Sequence, residues 1–526
     1  MTPTRRAVLG SGLAAATVSP ARAQRTDTLR IVPSSALTVL DPIWTPAGAT
    51  TGHAYHVFDT LFAVDRALNV HPQMAEAIET EDGGRTATIR LREGLRFHDG
   101  TPVLPRDCIA SIMRWGRRDS FGSLLLRALD SADAPDDRTV RLRYNRPFRR
   151  TADALAHPVA NACFVMPERL ARTEPTQQVT EMVGSGPYRF LPDEFVSGSR
   201  VAYARFGGYV PRNEPSDYAS GGKRAHFARI EWQVIPDPAT AAAALARGEV
   251  DWWEYAPADL VGQLRRTPGV RVVNSDPFYA ALRFNCLHPP FDNPRLRRAV
   301  LTAVDQTDYM QSISSPDERA WRTCFAMLGC GEPHVSEARG AALMTPPRNL
   351  SAARAAVAAS GYNGEKVVIL NPTDLPTVGP HGEITADLLR RLGMNVDLQE
   401  MDWGTVNQRR VSREPVERNG WSIFHINTPV VAVSNPALDF FIRGQGVNGG
   451  FFGWYDSKAM EDAAAAWLDT VTPAAEEVVF DRVQEIAFAD APSVPLGMFD
   501  MRTAYRSDLQ GLIPASVLFP WNVSRG

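Results

Sequence analysis

Ile235-Pro236-Asp237-Pro238-Ala239-Thr240-Ala241-Ala242-Ala243-Ala244-Leu245-Ala246-Arg247-Gly248-Glu249-Val250-Asp251-Trp252-Trp253 reads as one helix followed at once by one strand. Asp237 is placed to cap the helix, because a short carboxylate accepts hydrogen bonds from the free N–H groups of a first turn. Pro238 suits the first helical position, where no N–H is needed. Alanines carry the helix to Arg247, and Gly248 ends it by taking the left-handed conformation that a helix C-terminus favours. Val250-Asp251-Trp252-Trp253 then begins the strand. The same signals recur downstream. Asn293-Pro294 opens a helix with Leu296, Val300 and Val304 at helical spacing, and Ser351 caps another helix that stops at Gly361, before a strand at Lys366–Leu370. Helices and strands alternate through most of 230–425, which predicts α/β lobes.

Upstream, Thr28-Leu29-Arg30-Ile31-Val32 is a short strand. Residues 85–97 read as a hairpin, with Ile89 and Leu91 alternating against Arg90 and Arg92, and Leu95 and Phe97 following Glu93-Gly94. Arg106–Trp115 reads as a helix with Ile109, Ile112 and Met113 on one face, and 139–144 alternates as a strand. There is no internal repeat and no low-complexity linker, so short structured crossovers must join the lobes.

The chain has 526 residues, 44% apolar and 22% charged, which excludes a disordered or collagen-like protein. A formal charge of −3 gives no basic surface for nucleic acid. Three basic residues are lysines (Lys223, Lys366, Lys458) and the other 53 are arginines. Five cysteines are too few for a disulfide scaffold of this length, and without a CxxC pair a structural zinc site is not expected.

Residues 1–23 combine Arg5-Arg6, a short apolar run and Ala21-Arg22-Ala23 before Gln24, the pattern of a cleaved export signal. Thr4-Arg5-Arg6-Ala7-Val8-Leu9 is similar to a twin-arginine signal. Gln24 stands where a lipoprotein needs Cys, so no lipid anchor is expected. Cleavage takes the formal charge to −6. In an oxidising compartment, Cys324 and Cys330 are close enough in sequence to bridge if their Gly-containing loop turns back. Cys108, Cys163 and Cys286 lie in apolar surroundings and read as buried thiols.

Several blocks resemble, in order, the family 5 extracellular solute-binding proteins of ABC importers, the dipeptide-, oligopeptide-, nickel- and glutathione-binding group. They are Leu40-Asp41-Pro42, Phe58-Asp59-Thr60-Leu61-Phe62, Met74-Ala75-Glu76 through Leu91–Pro102, and Gly184-Ser185-Gly186-Pro187-Tyr188. Ile235-Pro236-Asp237, Gly248-Glu249-Val250-Asp251, Phe284-Asn285, Pro290-Phe291-Asp292, Arg297–Asp305 and Asp490–Leu496 follow. The resemblance implies an α/β, two-lobed periplasmic-binding-protein fold of type II, with an extra α+β domain inserted in lobe one. Carried onto this chain, lobe one is 24–60, 185–280 and 495–526, the inserted domain 61–184 and lobe two 281–494. The implied activity is capture of a peptide-like or other small organic solute by hinge closure, for delivery to ABC importer permease subunits in the inner membrane. A soluble periplasmic monomer is expected, with no cofactor, no metal and no nucleic-acid partner.

In peptide-binding members a lobe-two aspartate takes the ligand's ammonium, because a buried cation needs a paired charge. Its position falls near Ala432, and no carboxylate occurs between Asn419 and Leu438. Unmodified peptides are therefore a poor match. Trp403 and Trp421 are the leading candidate ligand contacts, since an indole offers a flat apolar surface and one donor. Trp403 lies in Asp402-Trp403-Gly404-Thr405, similar to a family turn facing the cleft. Opposite them, His53, Tyr55 and His56 precede the Phe58 block, and Asn285 and Asn427 are polar groups expected at the cleft edges. The histidine pair suits a metal only if a third ligand joins it. Arg409, Arg410 and Arg413 are expected on solvated helix surface, with receipt of an anionic ligand group as the alternative.

Two other classes remain as alternatives, an exported hydrolase and a periplasmic holdase or docking protein. Gly184-Ser185-Gly186 lacks the glycine of a nucleophile elbow at Val183, and no H-E-x-x-H or P-loop occurs. Gly444-Gln445-Gly446-Val447-Asn448-Gly449 matches G-x-G-x-x-G, but it lies among turns with no helix opening behind it. A holdase needs a large exposed apolar patch, which the alternation does not suggest.

Overall fold

The computed structural model describes residues 27–159, 161–313 and 320–526. The export signal read in 1–23 lies outside them. In the helix Pro238–Arg247, the Asp237 carboxylate accepts from the Thr240 N–H at 2.7 Å, and Gly248 closes the helix at φ 70°. Ala241, Ala242, Ala244 and Leu245 pack on Val32, Trp253 and Leu264. Burying Leu245 contributes about 2 kcal/mol. The strand that follows, Trp252–Trp253, runs parallel to Thr28–Val32.

Two local readings are corrected. Strand Thr86–Leu91 pairs with Ala75–Glu81 and Thr139–Tyr144, whereas 95–97 form a loop closed by the Arg96–Pro102 bridge. The run 85–97 is therefore not a hairpin. Helix Leu350–Ala359 is capped by Asn349, whose side chain accepts from the Ala352 N–H at 2.9 Å, rather than by Ser351.

Among the described residues eleven strands form the main sheet, one of them the short Trp321–Arg322, which pairs with Ser493–Arg506. On one side stand Tyr188–Phe190, Arg200–Arg205, Arg229–Gln233, Thr28–Val32 and Trp252–Trp253, and on the other Ile423–Pro429, Lys366–Pro372 and Asn395–Met401. Two long antiparallel strands, Val270–Phe284 and Ser493–Arg506, join the halves. Tyr505 and Ala504 pair with Trp252 and Trp253 in the first half, while Phe278–Phe284 pairs with Ile423–Pro429 in the second. The architecture is the two-lobed periplasmic-binding-protein fold. Between the halves, the register slips from Asn274 to Pro277. The displaced residues are held by lobe-one groups: Ser275 Oγ donates to Ala515 O at 2.6 Å, and Asp276 accepts from Tyr218 Oη at 2.7 Å and Ser516 N at 2.8 Å. Such a bulge adds local twist where one half of the sheet turns into the other.

A separate four-stranded antiparallel sheet, Ala75–Glu81, Thr86–Leu91, Thr139–Tyr144 and Leu129–Asp136, carries the helices Pro105–Trp115 and Ser120–Ala128. It is fastened to the main body where two of the sequence blocks meet. His98 N donates to Gly184 O at 2.8 Å, and Gly186 N donates to Val57 O at 2.9 Å. A Cβ on Gly184 or Gly186 would stand 2.0 or 2.7 Å from the backbone of Val57, so both positions require glycine. Cys324 and Cys330 are disulfide-bonded, with Cα atoms 5.6 Å apart. Cys108 and Cys163 are buried thiols, and Cys286 is half-buried. No helix among the described residues is long and apolar enough to cross a membrane.

Candidate functional site

In open α/β sheets, ligands sit outside the carboxyl ends of the parallel strands. In lobe two those ends are Pro372, Met401 and Pro429, from strands that run parallel to one another. Trp403 stands on this edge. The Asp402 carboxylate caps the helix Trp403–Arg409 through the Thr405 N–H at 2.9 Å, and Trp403 N donates to Asp374 Oδ1 at 2.7 Å. These bonds fix the turn and leave the indole half-buried. Asn427 reaches the same edge, where its Nδ2 donates to Thr377 O at 2.7 Å and its buried Oδ1 has no partner among the described residues.

Trp421 lies deeper. It is 1% exposed, 5.1 Å from the Phe424 ring and 5.9 Å from Trp454, and its Nε1 has no acceptor. Trp403, Trp421, Phe424, Val368 and Leu370 share one apolar cluster. Asn285 braces it from behind, donating from Nδ2 to Trp421 O at 2.9 Å and accepting from the Leu287 N–H at 3.1 Å. The structure thus joins Trp403, Trp421 and Asn285 around one cluster, with Asn427 at the same strand edge. Residues 430–433 form a short 3₁₀ turn with Ala432 buried.

The expectation for the arginines is corrected at one position. Arg409 donates to Gln399, Asn419 O and Gly420 O, and Arg413 donates to Val447 O. Arg410 is not on solvated surface. Its side chain is buried, with the guanidinium carbon 4.8 Å from the Phe452 ring centre, 5.4 Å from Trp403 and 5.6 Å from Phe424. Nε and Nη1 have no hydrogen-bond partner among the described residues, and burial pushes the guanidinium down to about 9.

His53 and Tyr55 lie elsewhere, inside lobe one. Both are on the helix Gly48–Val57, which is buried along nearly its whole length. His53 Nδ1 meets Tyr203 Oη at 3.0 Å, and Tyr55 Oη donates to Pro158 O at 3.0 Å among the rings of Phe164, Phe519 and Trp521. His56 stacks on Tyr203 and bonds Gly52 O at 2.8 Å. Burial pushes both histidines down to about 3, with His56 adding to the effect on His53. Among the described residues, one group of three His, Cys, Asp or Glu side chains is close enough to hold a metal, Cys324, Cys330 and Glu337. Its sulfurs are spent in the disulfide.

Sequence reading missed the lobe-one edge. Glu254 follows the carboxyl end of Trp252–Trp253 and is 3% exposed, with Ser34 N donating to its Oε2 at 2.6 Å. Ser34 follows the carboxyl end of Thr28–Val32 and is exposed. An acid directly after a buried strand was the available signal.

Residues 69–429 match the family model "Bacterial extracellular solute-binding proteins, family 5 Middle". The probable peptide ABC transporter periplasmic-binding protein y4tO of Sinorhizobium fredii is 33% identical over 537 residues, covering 100% of both chains. The glutathione-binding protein GsiB of Escherichia coli K12 is 23% identical, covering 96% of each. Among solved structures, the binding protein AgaA of A. tumefaciens R10 in complex with agropinic acid superposes with a TM-score of 0.81 at 20% identity, over 95% of this chain and 99% of that one. DppA of Helicobacter pylori with the peptide STSA gives 0.78 at 19%, over 96% and 100%. The match to the family model spans well over half of the sequence and the y4tO relative aligns end to end, so the chain belongs to the family 5 bacterial extracellular solute-binding proteins.

Proposed function

We propose that this protein is a periplasmic receptor that closes over a peptide-like or other small organic solute and presents it to an ABC importer, without catalytic chemistry of its own. The observation that carries the reading is the pair of long strands joining two half-sheets, with the bulge at Asn274–Pro277. A ligand can favour a closed state only through contacts it gains there, so both lobes must supply them. Trp403 and Asn427 offer such contacts from lobe two, and Glu254 from lobe one. We propose the division 24–60, 185–280 and 495–526 for lobe one, 61–184 for the inserted domain and 281–494 for lobe two. The junctions at 280/281 and 494/495 both fall within the two long strands. The named cargoes of the relatives, peptides and glutathione, set the class to try first.

Native mass spectrometry of the mature protein from its own periplasm tests this reading. The expected result is a single adduct that leaves on denaturation and is not converted on incubation. A bare protein that also fails to shift its melting temperature with peptides, glutathione or other small solutes would count against the receptor. Turnover of a bound solute would point to the hydrolase instead.

A further inference from the structure

The lobe-one edge holds a carboxylate without a counter-charge. Glu254 is 3% exposed, and among the described residues its carboxylate is hydrogen-bonded by Ser34. No cation among the described residues pairs with it. On the adjacent long strand, Arg502 Nη1 donates to Asp500 O at 2.9 Å and lies 3.9 Å from the Asp500 carboxylate. Tyr255, the next residue, is half-buried and donates from Oη to Ser516 O at 2.9 Å. A carboxylate buried without a cation is costly, and a protein that keeps one gains by giving it a positive partner from outside.

The position tells where that partner arrives. Ser34 and Glu254 lie at the carboxyl ends of adjacent parallel strands, Thr28–Val32 and Trp252–Trp253, beside the crossing strands. That is the ligand edge of an α/β sheet. Ser34, whose N–H holds the carboxylate, is itself exposed. Lobe two offers no acid between Asn419 and Leu438.

We propose that Glu254 receives a cationic group of the solute, a protonated amine or a guanidinium, from lobe one. The inference rests on the receptor reading above and names the chemical class of its cargo. Charge on Glu254 is needed for this contact, and burial raises its carboxyl to about 7, with the Ser34 bonds opposing. Cargo capture therefore strengthens as pH rises through about 7 and fails in acid. At about pH 5 roughly one carboxyl in a hundred is ionised, so affinity for the cation falls up to about a hundredfold.

The test uses the mature wild-type protein and Glu254→Gln, each loaded from the small-solute fraction of the periplasm at about pH 5 and about pH 8, with adducts read by native mass spectrometry. Gln keeps an acceptor for the Ser34 N–H, and Glu254→Asp, which keeps the charge, serves if Gln does not fold. The proposal expects an adduct on wild type at the higher pH that is lost at the lower, retained in part by Glu254→Asp and absent from Glu254→Gln. It also expects the released solute to gain mass on reductive methylation or on guanidine-directed labelling. Equal loading of wild type and Glu254→Gln with the same pH response overturns it, as does a solute with no cationic group. If no protein carries an adduct at either pH and none gains melting temperature from peptides, glutathione or other small solutes, the receptor reading fails and this inference with it.

Discussion

The guanidinium of Arg410 lies 5.4 Å from the centre of the Trp403 ring, two helical turns from the residue it faces, and meets no carboxylate among the described residues. Side chains on a helix lean toward its N-terminus, which carries the charge back toward the strand ends where Trp403 stands. The cost of burying it is offset only by aromatic faces, each contributing up to about 2 kcal/mol when water is excluded. Replacing a buried charge by an apolar side chain of similar volume is often neutral or stabilising. Arg410→Met should therefore unfold at the same or higher urea concentration than wild type. A loss of more than about 2 kcal/mol would mean that the cage holds its cation more tightly than aromatic faces alone allow.

Asp41 supplies the opposite case. Arg114 donates to both its oxygens, at 3.1 and 2.6 Å, and the Val179 N–H adds a third bond at 2.7 Å. Both side chains are almost wholly buried. Asp41→Ala leaves that guanidinium without its partner and should cost about 3–5 kcal/mol. Urea unfolding of the mature protein measures it, and a cost under about 1 kcal/mol would rule out a paired charge as the reason for this contact.

The two tryptophans should separate. Trp421 is 1% exposed inside the cluster, so Trp421→Ala removes core and should cost about 3–5 kcal/mol. Trp403 is half-buried on the strand edge, so Trp403→Ala should change stability little and weaken solute binding at least about tenfold. Thermal unfolding and titration with the solute identified from the native adduct read both. Unchanged affinity in Trp403→Ala removes it from the site.

Legibility followed the range of the interactions. Asp237, Pro238 and Gly248 act within one helix, so their roles stand in the sequence. The strand Val270–Phe284 does not, because Ser275-Asp276-Pro277 in its middle reads as a breaker. What keeps it a strand is pairing with residues 500–506 and bonds from Tyr218, Ala515 and Ser516, all distant in the chain. At the site, sequence type misled in both directions. His53 and Tyr55 look functional but face the core of lobe one, where Tyr203 and Pro158 satisfy them. Arg409 and Arg410 are neighbours of one type, and only the helix phase turns one to surface bonds and the other inward.

The neutral histidines of the helix Gly48–Val57 make stability depend on pH with a fixed sign. Burial holds His53 and His56 down to about 3, against 6.5 in an unfolded chain. Between those values the unfolded state binds more protons, so the stability these groups contribute is present above about 6.5 and is lost as pH falls toward 3. Each histidine should remove about 2 kcal/mol between about pH 7 and about pH 5. His56→Phe keeps the stack on Tyr203 and cannot titrate, so its urea midpoint should fall less steeply with acid than that of wild type. Carboxylates contribute equally to both proteins, which makes the difference between the two slopes specific to position 56. Parallel slopes would mean that His56 takes up its proton while still folded.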